Sequence, residues 1–411
     1  MTARKVLLLI IDGVSDRPCE ELGGLTPLQA ARTPVLDRIA KEGVCGIMDP
    51  IDIGIRPGSD TSHLSLLGYP PEKYYTGRGP LEALGTGIRM EPGMIGFRCN
   101  YATIDTSGRV VDRRAGRIHD TAALTQAITQ DVDLSEIGIE FFFRSGAGHR
   151  AALAFQGEGL GTCVSSNDPK KDGVVPPAFK PLTTSKADAK TAQALNRFVG
   201  QAEAVLSYHT LNQDRASKGL APANTLLIRG AGEMGNFEPF AKRYELSGSV
   251  IAAATLITGI GKAIGLRHVP VTGTTGSVDT NLEGKVQAAL TELGKQDFVL
   301  LNIKGADEAG HDGKAVEKRD FIERVDAVIQ PFLSLSGCLL VVCADHSTPC
   351  SIRDHSADPV PLVIHGDGVR PDNISNFDEI SCANGGMNRI PGHALMSVIG
   401  DLINRTKKYG A

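Results

Sequence analysis

The sequence predicts an α/β fold in which a mostly parallel sheet is flanked by helices and interrupted by a smaller inserted α/β domain. Three observations carry this reading. Residues 6–11, 298–303 and 339–344 are apolar runs of strand length, the pattern of strands buried on both faces. Each is followed within a few residues by an aspartate (Asp12, Asp307, Asp345), and groups just past the carboxyl ends of parallel strands converge on one crevice. Between about 84 and 280 the pattern changes: strand-like pieces at 95–104, 139–143, 151–155 and 225–228 alternate with helical segments near 121–130 and 186–206. The expected division is therefore a discontinuous domain, 1–84 with 281–411, and an insertion, 85–280.

Composition narrows the function classes. A 411-residue chain with 41% hydrophobic and 22% charged residues is an ordinary globular protein, long enough for two cores. A net charge of −4, with no long basic run, argues against a nucleic-acid partner. No apolar stretch reaches bilayer length and the N-terminus lacks a signal-like apolar region, so a cytoplasmic location without a membrane partner is expected. The eight cysteines show no C-x-x-C pair and are read as reduced structural thiols; an oligomer stays open.

Along the chain, the first strand ends in Asp12-Gly13, the acid being a cap or a metal ligand. Thr26-Pro27 opens a helix expected to run to Glu42, with Leu28, Ala31, Val35, Leu36 and Ile39 on one stripe. After Pro57 comes Gly58-Ser59-Asp60-Thr61-Ser62-His63, a polar turn that either caps a helix or presents Ser59 as a hydroxyl nucleophile. A helical pattern from 63 to 67 sets Ser59 near a helix N-terminus, where free N–H groups favour a phosphate. In the insertion, Arg98, Arg113, Arg114, Arg117, His149, Arg150 and Arg229 gather near strand ends; several guanidinium forks together suit phosphate and carboxylate. Residues 270–281, rich in glycine and threonine, have the composition of a hinge.

The C-terminal third places Asp307 and His311 four residues apart, on one face of a helical turn, a spacing that suits a divalent cation. A helix follows over 316–332, then a strand ending in Asp345-His346, then His355 ahead of a strand at 360–364. Neither residue type belongs unpaired in a core. The last helix spans 394–404, and His393 before it is read as structural. Asp12, Ser59, Asp307, His311, Asp345, His346 and His355 supply oxygen and nitrogen donors for two metal ions. Mixed carboxylate and imidazole ligation suits Mn²⁺ or Zn²⁺ better than Mg²⁺.

The set Asp12-Gly13, Gly58-Ser59-Asp60-x-x-His63, Asp307-x-x-x-His311, Asp345-His346 and His355-Ser-x-Asp-Pro-Val-Pro resembles the alkaline phosphatase superfamily. Within it, the chain is similar to the archaeal-type cofactor-independent phosphoglycerate mutases. Gly77-Arg78-Gly79-Pro80-Leu81-Glu82, Gly96-Phe97-Arg98-Cys99-Asn100, Asp112-Arg113-Arg114-Ala115-Gly116-Arg117, His149-Arg150 and Leu227-Ile228-Arg229-Gly230 extend the match over essentially the whole chain. The resemblance implies an alkaline-phosphatase-like fold and interconversion of 3-phosphoglycerate and 2-phosphoglycerate without 2,3-bisphosphoglycerate. Ser59 would be phosphorylated in turn. One metal would be held by Asp307, His311 and His355, and the other by Asp12, Ser59, Asp345 and His346. Mn²⁺ is expected first, with Mg²⁺, Zn²⁺ or Co²⁺ as alternatives. Substrate contacts are expected from Arg98, Arg114, Arg117, His149, Arg150, Arg229 and Lys304, with the insertion closing over the substrate. A metal-dependent phosphomonoesterase, another phosphomutase, a phosphonopyruvate decarboxylase or a non-catalytic metal- or nucleotide-sensing relative are the alternatives.

Overall fold

Strand β1 (Lys5–Ile11) forms where the sequence sets consecutive apolar residues, and Val6 to Ile11 are fully buried. In the computed structural model, which describes residues 4–408 and 410, the chain continues through β2 (Val44–Asp49), β3 (Ile95–Ile104), β4 (Val110–Asp112), β5 (Glu140–Ser145), β6 (Arg150–Gln156) and β7 (Thr225–Glu233). It then runs through β8 (Gly248–Ile251), β9 (Arg267–His268), β10 (Phe298–Ile303), β11 (Cys338–Cys343), β12 (Val360–His365) and β13 (Arg389–Pro391). No helix of the described residues is long and apolar enough to cross a membrane.

One sheet has the order β13-β2-β12-β11-β1-β10-β8-β9. β1 lies parallel between β10 and β11, with Val6 opposite Phe298 and Leu339. β12 alone runs against its neighbours, antiparallel to both β11 and β2. Its first residues therefore lie at the edge where β1, β10, β11 and β2 end. This is how His355, ahead of β12, reaches the same edge as Asp12, Asp307 and Asp345, which follow parallel strands.

The chain divides into two compact units: residues up to Tyr75 together with those from Phe237 onward, and the contiguous stretch Thr76–Asn236. These limits differ from the expected 85–280. β8 pairs in parallel with β10, and β9 with β8, so residues 248–268 belong to the first sheet. With lengths of four and two residues, these strands are too short to register as apolar runs, and the turn-rich composition of 270–281 drew the boundary instead.

The second unit's sheet is antiparallel, with β3 pairing β4, β6 and β7 and β6 pairing β5. Alternation decides its two faces. Phe97, Cys99 and Tyr101 of β3 join Phe143, Phe155 and Phe198 in a core that includes the helix Lys186–Tyr208. Arg98 and Asn100 point the other way.

The helix expected over 26–42 is two. Thr26 caps Pro27–Ala30, and a second helix runs Pro34–Glu42, because Pro34 has no N–H to continue the first and forces Thr33 out of helical geometry. The helix expected over 316–332 is Ala315–Val328, followed by a separate turn with Pro331 near its start.

Candidate active site

Ser59 opens the helix Ser59–Leu66, and its Oγ lies 3.1 Å from His346 Nε2. The helix start holds itself: Thr61 Oγ1 accepts from Gly58 N–H at 3.1 Å, and Asp60 accepts from Thr61 N–H at 3.0 Å and from the Tyr75 hydroxyl at 2.6 Å. A serine on the first turn faces amides that no helical carbonyl satisfies, a setting that favours an anion.

Asp12, at the tip of β1, is fully buried. Gly13 follows with φ of 66°, and a Cβ there would lie 2.6 Å from Thr348 Oγ1 and 2.7 Å from the Asp307 Cα. Only glycine lets this turn pass so close to both neighbouring strand ends. Asn302, buried on β10, donates to Asp12 Oδ2 at 3.0 Å and faces His63 Nε2 at 3.3 Å. The His63 Nδ1–H donates to the Ser59 carbonyl at 2.8 Å, so Nε2 carries the lone pair that accepts from Asn302.

The histidine tautomers follow from their partners. His311 and His355 each donate Nδ1–H to a backbone carbonyl, Arg353 at 3.0 Å and Pro57 at 2.8 Å, and so turn an Nε2 lone pair on Asp307 Oδ1 at 3.4 and 3.5 Å. Thr348 gives its single hydroxyl proton to Asp307 Oδ1 at 2.8 Å and so accepts from His346 Nδ1–H at 3.0 Å. The His346 Nε2 lone pair then faces Asp345 Oδ2 at 3.2 Å and Asp12 Oδ1 at 3.7 Å. Asp345 Oδ2 is buried and has no hydrogen-bond partner.

Lone pairs converging in this way repel unless a positive charge lies among them. The field is visible in His346: burial works against its charge, yet Asp345, Asp307 and Asp12 draw its pKa upward. Burial likewise opposes the charge of Asp307, but the Lys304 ammonium holds its carboxyl well below the usual range. The same field attracts a divalent cation, and the donor set fits one. Ligand atoms of Asp12, Asp345 and His346, and separately of Asp307, His346 and His355, lie within 4.8 Å of one another. His346 lies close to both groups, and its one free nitrogen, Nε2, faces the first; His311 stands beside the second group. The Lys304 ammonium lies between the two groups, donating to Asp12 Oδ1 at 2.9 Å and to Asp307 Oδ2 at 2.6 Å.

In the second unit, cross-strand register sets Arg98 of β3 directly opposite Arg229 of β7, and Arg150 of β6 opposite Asn100. Like charges opposite one another destabilise a sheet. Burial first, then Arg78, push the Arg98 guanidinium down to about 9, with Glu82 opposing. Arg98 Nε and Asn100 Oδ1 are buried without hydrogen-bond partners. Asp168 answers part of the charge, accepting two bonds from Arg113 at 3.0 and 2.9 Å and lying 3.5 Å from Arg229. Burial, then Arg150, Arg114 and Arg98, push the His149 imidazole down to about 3. Arg117, exposed in its turn, is not among the charges acting most strongly on Arg98, Arg229 or His149. Arg78 is, and was legible only as part of the Gly77–Glu82 motif.

Residues 40–212 match the family model described as 2,3-bisphosphoglycerate-independent phosphoglycerate mutase. The chain is 65% identical to the protein of that name from Methanoculleus marisnigri, over 100% of both chains. It is 49% identical to that from Archaeoglobus fulgidus, over 99% of this chain and 100% of the other. Among solved structures it resembles a Pyrococcus horikoshii protein (TM-score 0.86, 35% identity, 100% of both chains). It also resembles a cofactor-independent phosphoglycerate mutase from Thermoplasma acidophilum (TM-score 0.68, 36% identity, 98% of this chain and 100% of that one). Whole-length identity of this degree, on a chain whose buried serine, carboxylates and imidazoles converge at one sheet edge, makes it a member of the 2,3-bisphosphoglycerate-independent phosphoglycerate mutase family.

Proposed function

We infer that this enzyme interconverts 3-phosphoglycerate and 2-phosphoglycerate by passing the phosphoryl group through Ser59. The observation that carries the mechanism is Ser59 Oγ, on the first turn of its helix and 3.1 Å from His346 Nε2. Ser59 Oγ gives up its proton as it attacks phosphorus, the bond to the substrate O3 breaks, and O3 takes up that proton. Glycerate turns, its O2 loses its proton as it attacks the phosphoserine, and Ser59 is released with a proton back on Oγ. Two divalent cations, Mn²⁺ first on the mixed carboxylate and imidazole donors, would be held by Asp12, Asp345 and His346 and by Asp307, His311 and His355. Bound there, such ions lower the pKa of a hydroxyl and offset phosphate charge.

The chain's own groups do the rest. The helix start offers amides to the phosphoryl oxygens, and Lys304, held between Asp12 and Asp307, brings a positive charge beside them. Arg98, Arg150 and Arg229, which share one face of β3, β6 and β7, are assigned the substrate's anionic groups.

The test is a mutase assay on chelated enzyme resupplied with one metal at a time, with and without 2,3-bisphosphoglycerate. Recovery with Mn²⁺ and no dependence on bisphosphoglycerate are expected. Inorganic phosphate as the main product would instead make the protein a phosphomonoesterase.

A further inference from the structure

Behind the catalytic donors lies a second group that the mutase reaction does not use. Asp16, Cys19 and Cys350 present a carboxylate oxygen and two sulfurs within 4.8 Å of one another, all buried. Cys19 comes from the loop after β1 and Cys350 from the loop after β11. Both cysteines meet one carboxylate: Cys19 Sγ lies 3.8 Å from Asp16 Oδ1, and the Cys350 backbone N–H donates to the same side chain. Burial pushes the thiols up, to about 11 for Cys19 and about 12 for Cys350, so both sulfurs carry protons at neutral pH.

The carboxylate is held in place from elsewhere. Lys318, fully buried, donates to Asp16 Oδ2 at 2.8 Å and to the carbonyls of Ser15 at 3.1 Å and Thr348 at 3.0 Å. Arg17 N–H and Cys350 N–H donate to Oδ1 at 2.8 and 3.1 Å. Lys318 balances Asp16, which leaves the pair of sulfurs neutral as thiols. Exchanging their two protons for one divalent cation conserves the charge of the pocket.

We propose that Asp16, Cys19 and Cys350 form a binding site for a thiophilic divalent cation of the Zn²⁺ or Cd²⁺ class, distinct from the catalytic cations. Uptake forms two metal–sulfur bonds and one bond to Asp16 Oδ1, and releases the two thiol protons. No electron transfer is involved. A tetrahedral Zn²⁺ dithiolate sets its sulfurs about 3.8 Å apart, so from 4.8 Å or less the two loops close by about 1 Å at most. Two sulfurs select soft cations, whereas the Asp12, Asp307 and Asp345 groups offer only oxygen and nitrogen.

The experiment titrates Cd²⁺ into the Mn²⁺-loaded enzyme and follows the cadmium–thiolate charge-transfer absorbance. One Cd²⁺ per chain is expected, displaced by Zn²⁺ and not by excess Mn²⁺. Cys19→Ser and Cys350→Ser should each weaken binding at least tenfold, while Cys45→Ser and Cys163→Ser leave it unchanged. Alkylation mapped by mass spectrometry on the unmutated enzyme gives an independent readout: Cd²⁺ should slow labelling of Cys19 and Cys350 together and leave the exposed Cys163 unaffected. A band that survives both Cys19→Ser and Cys350→Ser, or no protection of the two thiols, overturns the assignment.

Discussion

Thr348 donates its hydroxyl proton to Asp307 Oδ1 at 2.8 Å, and that one bond decides which nitrogen of His346 is free. A hydroxyl has one proton to give, so Thr348 can only accept from His346 Nδ1. Removing the hydroxyl with Thr348→Val frees both the carboxylate and the ring. Outer-shell changes of this kind cost about 10–100-fold in metal affinity, and Thr348→Ser should restore most of it. Mn²⁺ titration gives the affinity, and ¹⁵N NMR of the metal-free protein at a pH above the raised pKa of His346 gives the tautomer. A Thr348→Val protein with unchanged affinity and His346 still protonated on Nδ1 contradicts the argument.

Ser59→Ala removes the nucleophile and leaves every other donor. Turnover should fall to background while substrate still binds. Brief exposure of the unmutated enzyme to substrate, followed by mass spectrometry, should find phosphate on the peptide carrying Ser59; phosphate on another residue would reassign the nucleophile.

Cation binding and folding are linked. With Asp345 Oδ2 buried and unpartnered among other carboxylates, chelation should lower the melting temperature, and resupply to about 100 times Kd should return about 2.7 kcal/mol per site. Asp345→Asn should weaken that response. Equal melting temperatures with and without metal would show that the donors are not a linked site.

The His149 environment makes a pH prediction. Its folded pKa, about 3, lies below the ordinary 6.5, so below 6.5 the unfolded chain takes up a proton that the folded one refuses. Stability contributed by neutral His149 is therefore present above 6.5 and lost as pH falls towards about 3, by at most ~1.4 kcal/mol per pH unit. Urea unfolding at pH 7 and pH 5 should show a drop of up to ~2 kcal/mol that His149→Gln reduces. An identical drop in both proteins would remove His149 as its source.

Gly13→Ala tests the crowding at the β1 tip. The φ of 66° and a Cβ 2.6–2.7 Å from Thr348 and Asp307 leave no relaxed solution, so about 2–4 kcal/mol of stability should go, together with metal affinity. A stable Gly13→Ala protein that binds Mn²⁺ normally would show that the strand ends can part.

What the sequence made legible was what is local. Asp12, Asp307 and Asp345 follow apolar runs, and Asp307 with His311 shows helical spacing, so each could be read without its neighbours. Asn302 and Thr348 escaped, and His63 was legible only as part of the Ser59 motif, because their roles depend on a tautomer or a carboxylate supplied from another strand. The closeness of His346 to both donor groups is likewise a product of three strand ends meeting. The reversed direction of β12 leaves no trace in composition, although it is what delivers His355. β8 and β9 were invisible for want of length.

The central position of β1 has a consequence during synthesis. Its partners β10 and β11 begin at Phe298 and Cys338, so an apolar strand made among the first residues must wait for nearly the last third of the chain. At translation rates of about 5–20 residues per second that wait is roughly 15–60 s. The unit Thr76–Asn236 is contiguous and can fold on the ribosome meanwhile. The nascent chain thus carries a finished unit beside an unpaired hydrophobic strand, and it is β1 that a trigger-type chaperone would have to shield.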